Sequence, residues 1–105
     1  MIELDDVTFR DFINGDFVLV EFYTDYCPHC RTLTAMLEPL CKENGIKGGK
    51  INVNKFREIR EEFEIELVPT VIVFSKGESI GGFMGLTSPG TARKEILRLA
   101  SSVTG

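Results

Sequence analysis

Tryptophan is missing from this 105-residue sequence and histidine occurs once, while phenylalanine occurs eight times. The core is therefore expected to rest on Phe with Val, Ile and Leu. Three cysteines, an odd number, do not make a disulfide-stapled scaffold. Long apolar runs are missing too. The longest, Phe17 to Val20 and Val71 to Phe74, fall far below the roughly 20 residues of a membrane-spanning helix. Positive charge is not in excess: twelve Lys and Arg against sixteen Asp and Glu leave a net charge of −4. That balance argues against a protein that tracks nucleic-acid phosphates. The opening residues, Met1-Ile2-Glu3-Leu4-Asp5-Asp6, carry neither a basic segment nor an apolar one, so no secretory leader is expected. A cytoplasmic, reducing compartment is the default expectation. Repeats, linkers and low-complexity stretches are lacking, so residues 1–105 are expected to form one domain.

What is present is an ordinary globular composition, 43% hydrophobic and 27% charged. A chain of this size buries about two-thirds of its unfolded surface and needs neither metal nor structural disulfide to fold. Ile2 to Leu4 suits a short edge strand. Asp5 or Asp6 can cap a helix with Phe9, Phe12 and Ile13 on one face, ended by Asn14-Gly15. The near-continuous apolar run Phe17 to Tyr23 predicts a central strand buried on both faces. From Pro28 the period changes. Leu33, Met36, Leu37, Leu40 and Cys41 form the stripe of an amphipathic helix closed by Asn44-Gly45, with Pro39 inside it. A strand over Lys50 to Asn54 follows, then a helix marked by Phe56, Ile59 and Phe63, then a strand from Thr70 to Phe74. Ser75-Lys76-Gly77-Glu78 reads as a hairpin turn into a strand near Ile80 to Met84. Ser88 with Pro89 opens a last helix expected to pack Ile96, Leu99, Ala100 and Val103. The order β-α-β-α-β-α-β-β-α predicts an α/β domain, a mixed sheet with helices on both faces.

Cys27-Pro28-His29-Cys30 lies where the central strand meets the long helix. Cys27 falls at the N-cap and Pro28 at the first helical position, where a missing N–H costs nothing. The free N–H groups of the first turn, with the positive end of the helix dipole, favour a thiolate at Cys27. Its pKa is expected well below the roughly 8.5 of free cysteine. Cys30, one turn on, can close a disulfide and points back under the turn. An exposed nucleophile over a buried resolving thiol suits exchange through a mixed disulfide. Half a zinc site is the alternative, although tetrahedral zinc asks for four ligands and the only other Cys is distant. Cys41 lies eleven residues beyond Cys30, roughly 16 Å along a helix, and its place on the apolar stripe predicts a packed core thiol. His29 is either a solvated first-turn residue or, when protonated, a positive charge beside the Cys27 thiolate that makes the disulfide more oxidising.

Val18 to Tyr23 followed by Cys27-Pro28-His29-Cys30 resembles the thioredoxin family, especially the catalytic domains of protein disulfide isomerases. The resemblance continues through Met36 to Leu40, Lys50 to Asn54, Val68-Pro69-Thr70 and Gly85, in order over nearly the whole chain. It implies a thioredoxin fold and a protein disulfide oxidoreductase with no cofactor beyond a redox-active disulfide. By the same resemblance, Pro69 is a cis-proline facing that disulfide and the Val68 backbone pairs with an extended substrate. Gly85 lines the same groove, and Tyr26 stands where thioredoxins commonly have Trp. Glu21 matches the family's buried acid beneath the dithiol, with Lys50 as its partner. Burial of that carboxylate predicts a raised pKa suited to proton relay with Cys30, the alternative being a strand-end Glu that reaches solvent.

Pro28-His29 replaces the Gly-Pro of typical thioredoxins and the Gly-His of disulfide isomerases. The pair resembles the periplasmic disulfide oxidase, whose helical insertion this chain has no room for. The expected partners are protein disulfides and an electron donor, either a thioredoxin reductase-like enzyme or glutathione, and a monomer is expected. Gly81-Gly82 resembles the Gly-Gly of glutaredoxins and keeps a glutathione-dependent reading open. The same residues would also suit a disulfide isomerase or oxidase, a non-catalytic adaptor of thioredoxin fold, or a metal-binding module.

Overall fold

The computed structural model describes residues 1–104. It contains strands β1 (Ile2–Leu4), β2 (Val18–Tyr23), β3 (Lys47–Asn52), β4 (Thr70–Ser75) and β5 (Glu78–Met84), and helices α1 (Asp6–Phe12), α2 (Pro28–Glu43), α3 (Arg57–Glu62) and α4 (Pro89–Thr104). The strands form one sheet in the order β1-β3-β2-β4-β5. β1 and β2 run parallel to β3, whereas β4 is antiparallel to β2 and β5 to β4. The predicted mixed sheet is the observed one, and its most apolar strand is its centre.

Alternation along β2 divides the core. Val18, Val20 and Phe22 point to one face, packed with Phe9, Ile13, Ile51, Ile59 and Phe74 under α1 and α3. Leu19 points to the other, packed with Leu33, Leu37, Leu40, Val71 and Ile96 from α2, β4 and α4. Phe9, Phe63 and Phe74 meet edge to face, with ring centroids 5.5–6.0 Å apart. The same period of two sends Glu21 to the face covered by α2.

Caps follow the sequence signals. The Asp5 carboxylate accepts from the N–H of Val7 and Thr8 at the start of α1, and Asn44 and Gly45 end α2, with Gly45 at φ 63°. Lys76 and Gly77 make the two-residue hairpin turn at φ 52° and 87°. Ser88 Oγ accepts from the Thr91 N–H beneath α4.

Two sequence expectations need correction. β3 begins at Lys47, not Lys50, and ends at Asn52. Its Gly48-Gly49 pair is closely packed: a methyl at Gly49 would lie 2.7 Å from Leu4 Cδ1, and one at Gly48 2.8 Å from Met1 Sδ. On α4, Val103 is 40% exposed, and Ala92 joins Ile96 and Leu99 in the core. The apolar stripe of α4 thus lies one turn nearer its start.

Candidate active site

The site begins where β2 leaves the sheet. Tyr26 takes φ 56° and stands 95% exposed immediately before the helix. Cys27 is the N-cap of α2 at φ −111°, and Pro28 is its first residue. As expected, the Cys27 sulfur accepts the N–H of Cys30, at 3.2 Å. Cys27 and Cys30 are joined in a disulfide with their Cα atoms 5.2 Å apart. Cys30 is buried at 3% exposure, Cys27 is half-buried, and His29 faces solvent. The helix therefore presents one sulfur at its open end and holds the other beneath the first turn.

Under that turn lies Glu21. It is fully buried, which excludes the alternative of a strand-end carboxylate in solvent. Its Oε1 accepts the Thr34 hydroxyl at 2.5 Å, and Oε2 has no hydrogen-bond partner among the described residues. Burial pushes its carboxyl up to about 7; Thr34 and the charge of Lys50 pull the other way, and Glu38 adds a little to the rise.

Lys50 stands in register with Glu21 across β2 and β3. The expected pairing is nevertheless not a direct one. The Lys50 ammonium reaches Glu3 at 4.0 Å and lies 5.3 Å from the centre of the Tyr23 ring. Tyr23 donates its hydroxyl to the same Glu3 carboxylate at 2.7 Å, and burial with that bond raises its phenol above the usual range. An exposed carboxylate leaves Lys50 its hydration, whereas Glu21 would take it out of water. Tyr23, Tyr26, Cys27, Cys30, Thr34 and Lys50 line one cleft beside the disulfide.

A second group forms at the ends of β4 and β5. The Val68–Pro69 bond is cis, and the Pro69 carbonyl accepts the N–H of Gly85 at 2.7 Å. Gly85 takes φ 76°, a conformation that suits glycine. Leu67, Met84 and Leu86 expose half or more of their surface around this pair. Val68, Pro69 and Gly85 are thus brought together, outside the cleft that holds Lys50.

Gly81 and Gly82 have a packing explanation. A methyl at Gly81 would lie 2.8 Å from Leu99 Cδ2, and one at Gly82 2.0 Å from the Val71 carbonyl oxygen. Cys41 is a free, buried thiol whose pKa burial raises, as the apolar stripe predicted. Among the described residues, no group of three His, Cys, Asp or Glu side chains converges on a metal position. The residue that sequence reasoning missed is Thr34. Its only signal was its place four residues after Cys30, on the helix face that looks down on β2.

Comparison with known proteins agrees with this geometry. The thioredoxin family model matches residues 1–97. A thioredoxin of Chlamydia pneumoniae is 37% identical over 79 residues, covering 74% of this chain and 78% of that protein. Protein disulfide-isomerase 1 of Caenorhabditis elegans is 33% identical over 84 residues, 74% of this chain but 17% of that longer protein. Among solved structures, oxidised mitochondrial thioredoxin 3 of Saccharomyces cerevisiae superposes with a TM-score of 0.83 at 26% identity, covering 93% of this chain and 94% of that one.

Proposed function

This chain belongs to the thioredoxin family, and from that premise we propose that it reduces protein disulfides by a two-step exchange in which Cys27 attacks and Cys30 resolves. It is a protein disulfide oxidoreductase, and thioredoxins act through the dithiol/disulfide pair without a further cofactor. In the reduced protein the Cys27 thiolate attacks one sulfur of a client disulfide. A mixed disulfide forms and the first client thiolate leaves. Cys30 then gives its proton to the Glu21 carboxylate and attacks the Cys27 sulfur. The second client thiolate departs, and two electrons have passed from the dithiol to the client. A thioredoxin reductase-like enzyme or glutathione returns them. Val68, Pro69 and Gly85, with the ring of Tyr26, form the surface on which an extended client segment lies.

One observation carries the assignment of roles. The Cys27 sulfur occupies the open helix start and accepts the Cys30 N–H, while Cys30 itself is buried. That N–H and the helix dipole favour a thiolate at the outer sulfur, and burial holds the inner one back as the resolving thiol. The exposed His29 adds positive charge beside the thiolate when protonated, which supports a poise more oxidising than that of a Gly-Pro thioredoxin.

Trapping tests the assignment. Cys27→Ser is expected to abolish insulin reduction, and Cys30→Ser to accumulate client-linked mixed disulfides through Cys27, identified by mass spectrometry. Equal trapping by the Cys27→Ser protein would reverse the two roles.

A further inference from the structure

The Thr34 hydroxyl has one proton and two acceptors. Glu21 Oε1 lies 2.5 Å away and the Cys30 carbonyl oxygen 2.9 Å away, the latter the ordinary back-bond of a helical threonine to the residue four before it. A hydroxyl cannot donate fully to both. When Glu21 is a carboxylate, the charged acceptor wins, because a charge-assisted bond is shorter and about twice as strong as a neutral one. When Glu21 is a carboxylic acid it can itself donate, to the Thr34 oxygen, and the hydroxyl proton turns to the Cys30 carbonyl. No atom needs to move except that proton.

We propose that Thr34 is a positioning residue for disulfide exchange, whose hydroxyl turns between Glu21 and the Cys30 carbonyl and so couples the charge of the buried acid to the backbone of the resolving cysteine. The inference rests on the reading of Glu21 as the proton acceptor of the exchange. Three features of the site support it. Among the described residues Oε2 has no hydrogen-bond partner and Thr34 makes the only hydrogen bond that Glu21 receives from a side chain. Thr34 also lines the cleft beside the disulfide, so one side chain touches both Glu21 and that cleft. The carboxyl midpoint of about 7 populates both arrangements near neutrality.

The other groups around Glu21 are charged or apolar. Lys50 faces it from β3, held by Glu3 of β1, and Glu38 acts from further along α2. On β4 its register neighbour is Val71, and α4 contributes Ile96 to that face. The Cys27–Cys30 pair lies at the start of α2 and does not titrate while oxidised.

The experiment is carbon-13 NMR of the oxidised protein across pH, following the Glu21 carboxyl and the Cys30 carbonyl together. In the wild type both signals are expected to titrate with one midpoint. Thr34→Val removes the hydroxyl and nearly keeps the shape. It should raise the Glu21 midpoint by about one pH unit or more, as loss of a hydrogen bond to a charged group demands, and should leave the Cys30 carbonyl without that titration. Thr34→Ser should restore both, and Thr34→Ala serves if the valine does not fold.

A Glu21 midpoint unchanged or lowered in the folded variant overturns the proposal. So does a wild-type Cys30 carbonyl that ignores the Glu21 titration. Exchange kinetics separate this from the reading beneath it. Thr34→Val should shift the pH–rate profile of the wild type and have no effect on it in a Glu21→Gln background. If Glu21→Gln alone leaves that profile unchanged, the relay fails, while the NMR midpoints still decide the role of Thr34.

Discussion

A carboxylate with one hydrogen bond in an apolar layer is costly, and at the residue scale Glu21 turns that cost into a pH dependence. Folding raises its carboxyl from 4.5 to about 7. Between those values the folded chain holds a proton that the unfolded chain has lost. Stability therefore falls as pH rises through that window and levels off above it. The full effect is up to about 3 kcal/mol, since each pKa unit corresponds to about 1.4 kcal/mol. Glu21→Gln keeps the shape and cannot ionise. Measured by urea unfolding of the oxidised protein, its stability relative to wild type should climb by up to about that amount from pH 4 to pH 8. Parallel curves for the two proteins would show that Glu21 ionises without a penalty. The burial of this residue was expected from the family resemblance, while the apolar strand around it left a solvent-reaching carboxylate open, and the structure decides for burial. Its partner was not, because which cation or hydroxyl reaches a buried oxygen depends on side-chain lengths and on a neighbouring acid, Glu3, that no local pattern connects to it.

At the scale of the element, local chemistry was read well and close approach was read poorly. The boundaries of α2 follow from Pro28 at its first turn and Asn44-Gly45 at its end, each a local backbone requirement. Of the stripe Leu33, Met36, Leu37, Leu40 and Cys41, all but Met36 are buried, and Met36 packs against them partly buried. Glycines inside strands carry no such local message. Gly48 and Gly49 lay outside the strand expected from Lys50, yet β3 runs through them, with Met1 and Leu4 pressed against their faces. Gly82 makes the point most strongly, and it yields a prediction. β5 is bulged against β4 between Val73 and Phe74, and a methyl at Gly82 would meet the Val71 carbonyl oxygen at 2.0 Å. A backbone oxygen cannot swing aside as a side chain can. Gly82→Ala is expected to destabilise the domain by about 3 kcal/mol or more, at the high end of single substitutions. Gly90→Ala, with open space around it, should be neutral or slightly stabilising. Thermal unfolding of both variants checks the contrast. Equal melting temperatures would mean that the β4–β5 pair relaxes to admit the methyl.

Across the whole molecule, the sheet joins parts that are remote in sequence. The pairing of β4 with β5 sets Gly85 against Pro69, and the parallel pairing of β2 with β3 sets Lys50 beside Glu21. The elements were legible one by one from their periods. The order β1-β3-β2-β4-β5 arises from packing between them, which no single stretch of sequence records. The same wholeness governs the proposed redox poise. Oxidation, reduction, folding and unfolding form a closed thermodynamic cycle, so a dithiol stabilised by the fold makes the disulfide correspondingly more oxidising. The start of α2 supplies that stabilisation through the Cys30 N–H at the Cys27 sulfur, and His29 lies in the same turn. In the unfolded chain neither group is held near the sulfur. His29→Pro removes the imidazole and restores the proline of typical thioredoxins. Its disulfide should become harder to reduce by an amount on the order of tens of millivolts, where 30 mV corresponds to about 1.4 kcal/mol. The cycle then requires the reduced mutant to lose the matching stability relative to its own oxidised form. Glutathione equilibration gives the first quantity, and urea unfolding of both redox states gives the second. Thiolate absorbance against pH should show the Cys27 pKa rising in step. If the mutant is equally or more oxidising, His29 does not set the poise, and the N–H donors and dipole of the helix start set it alone.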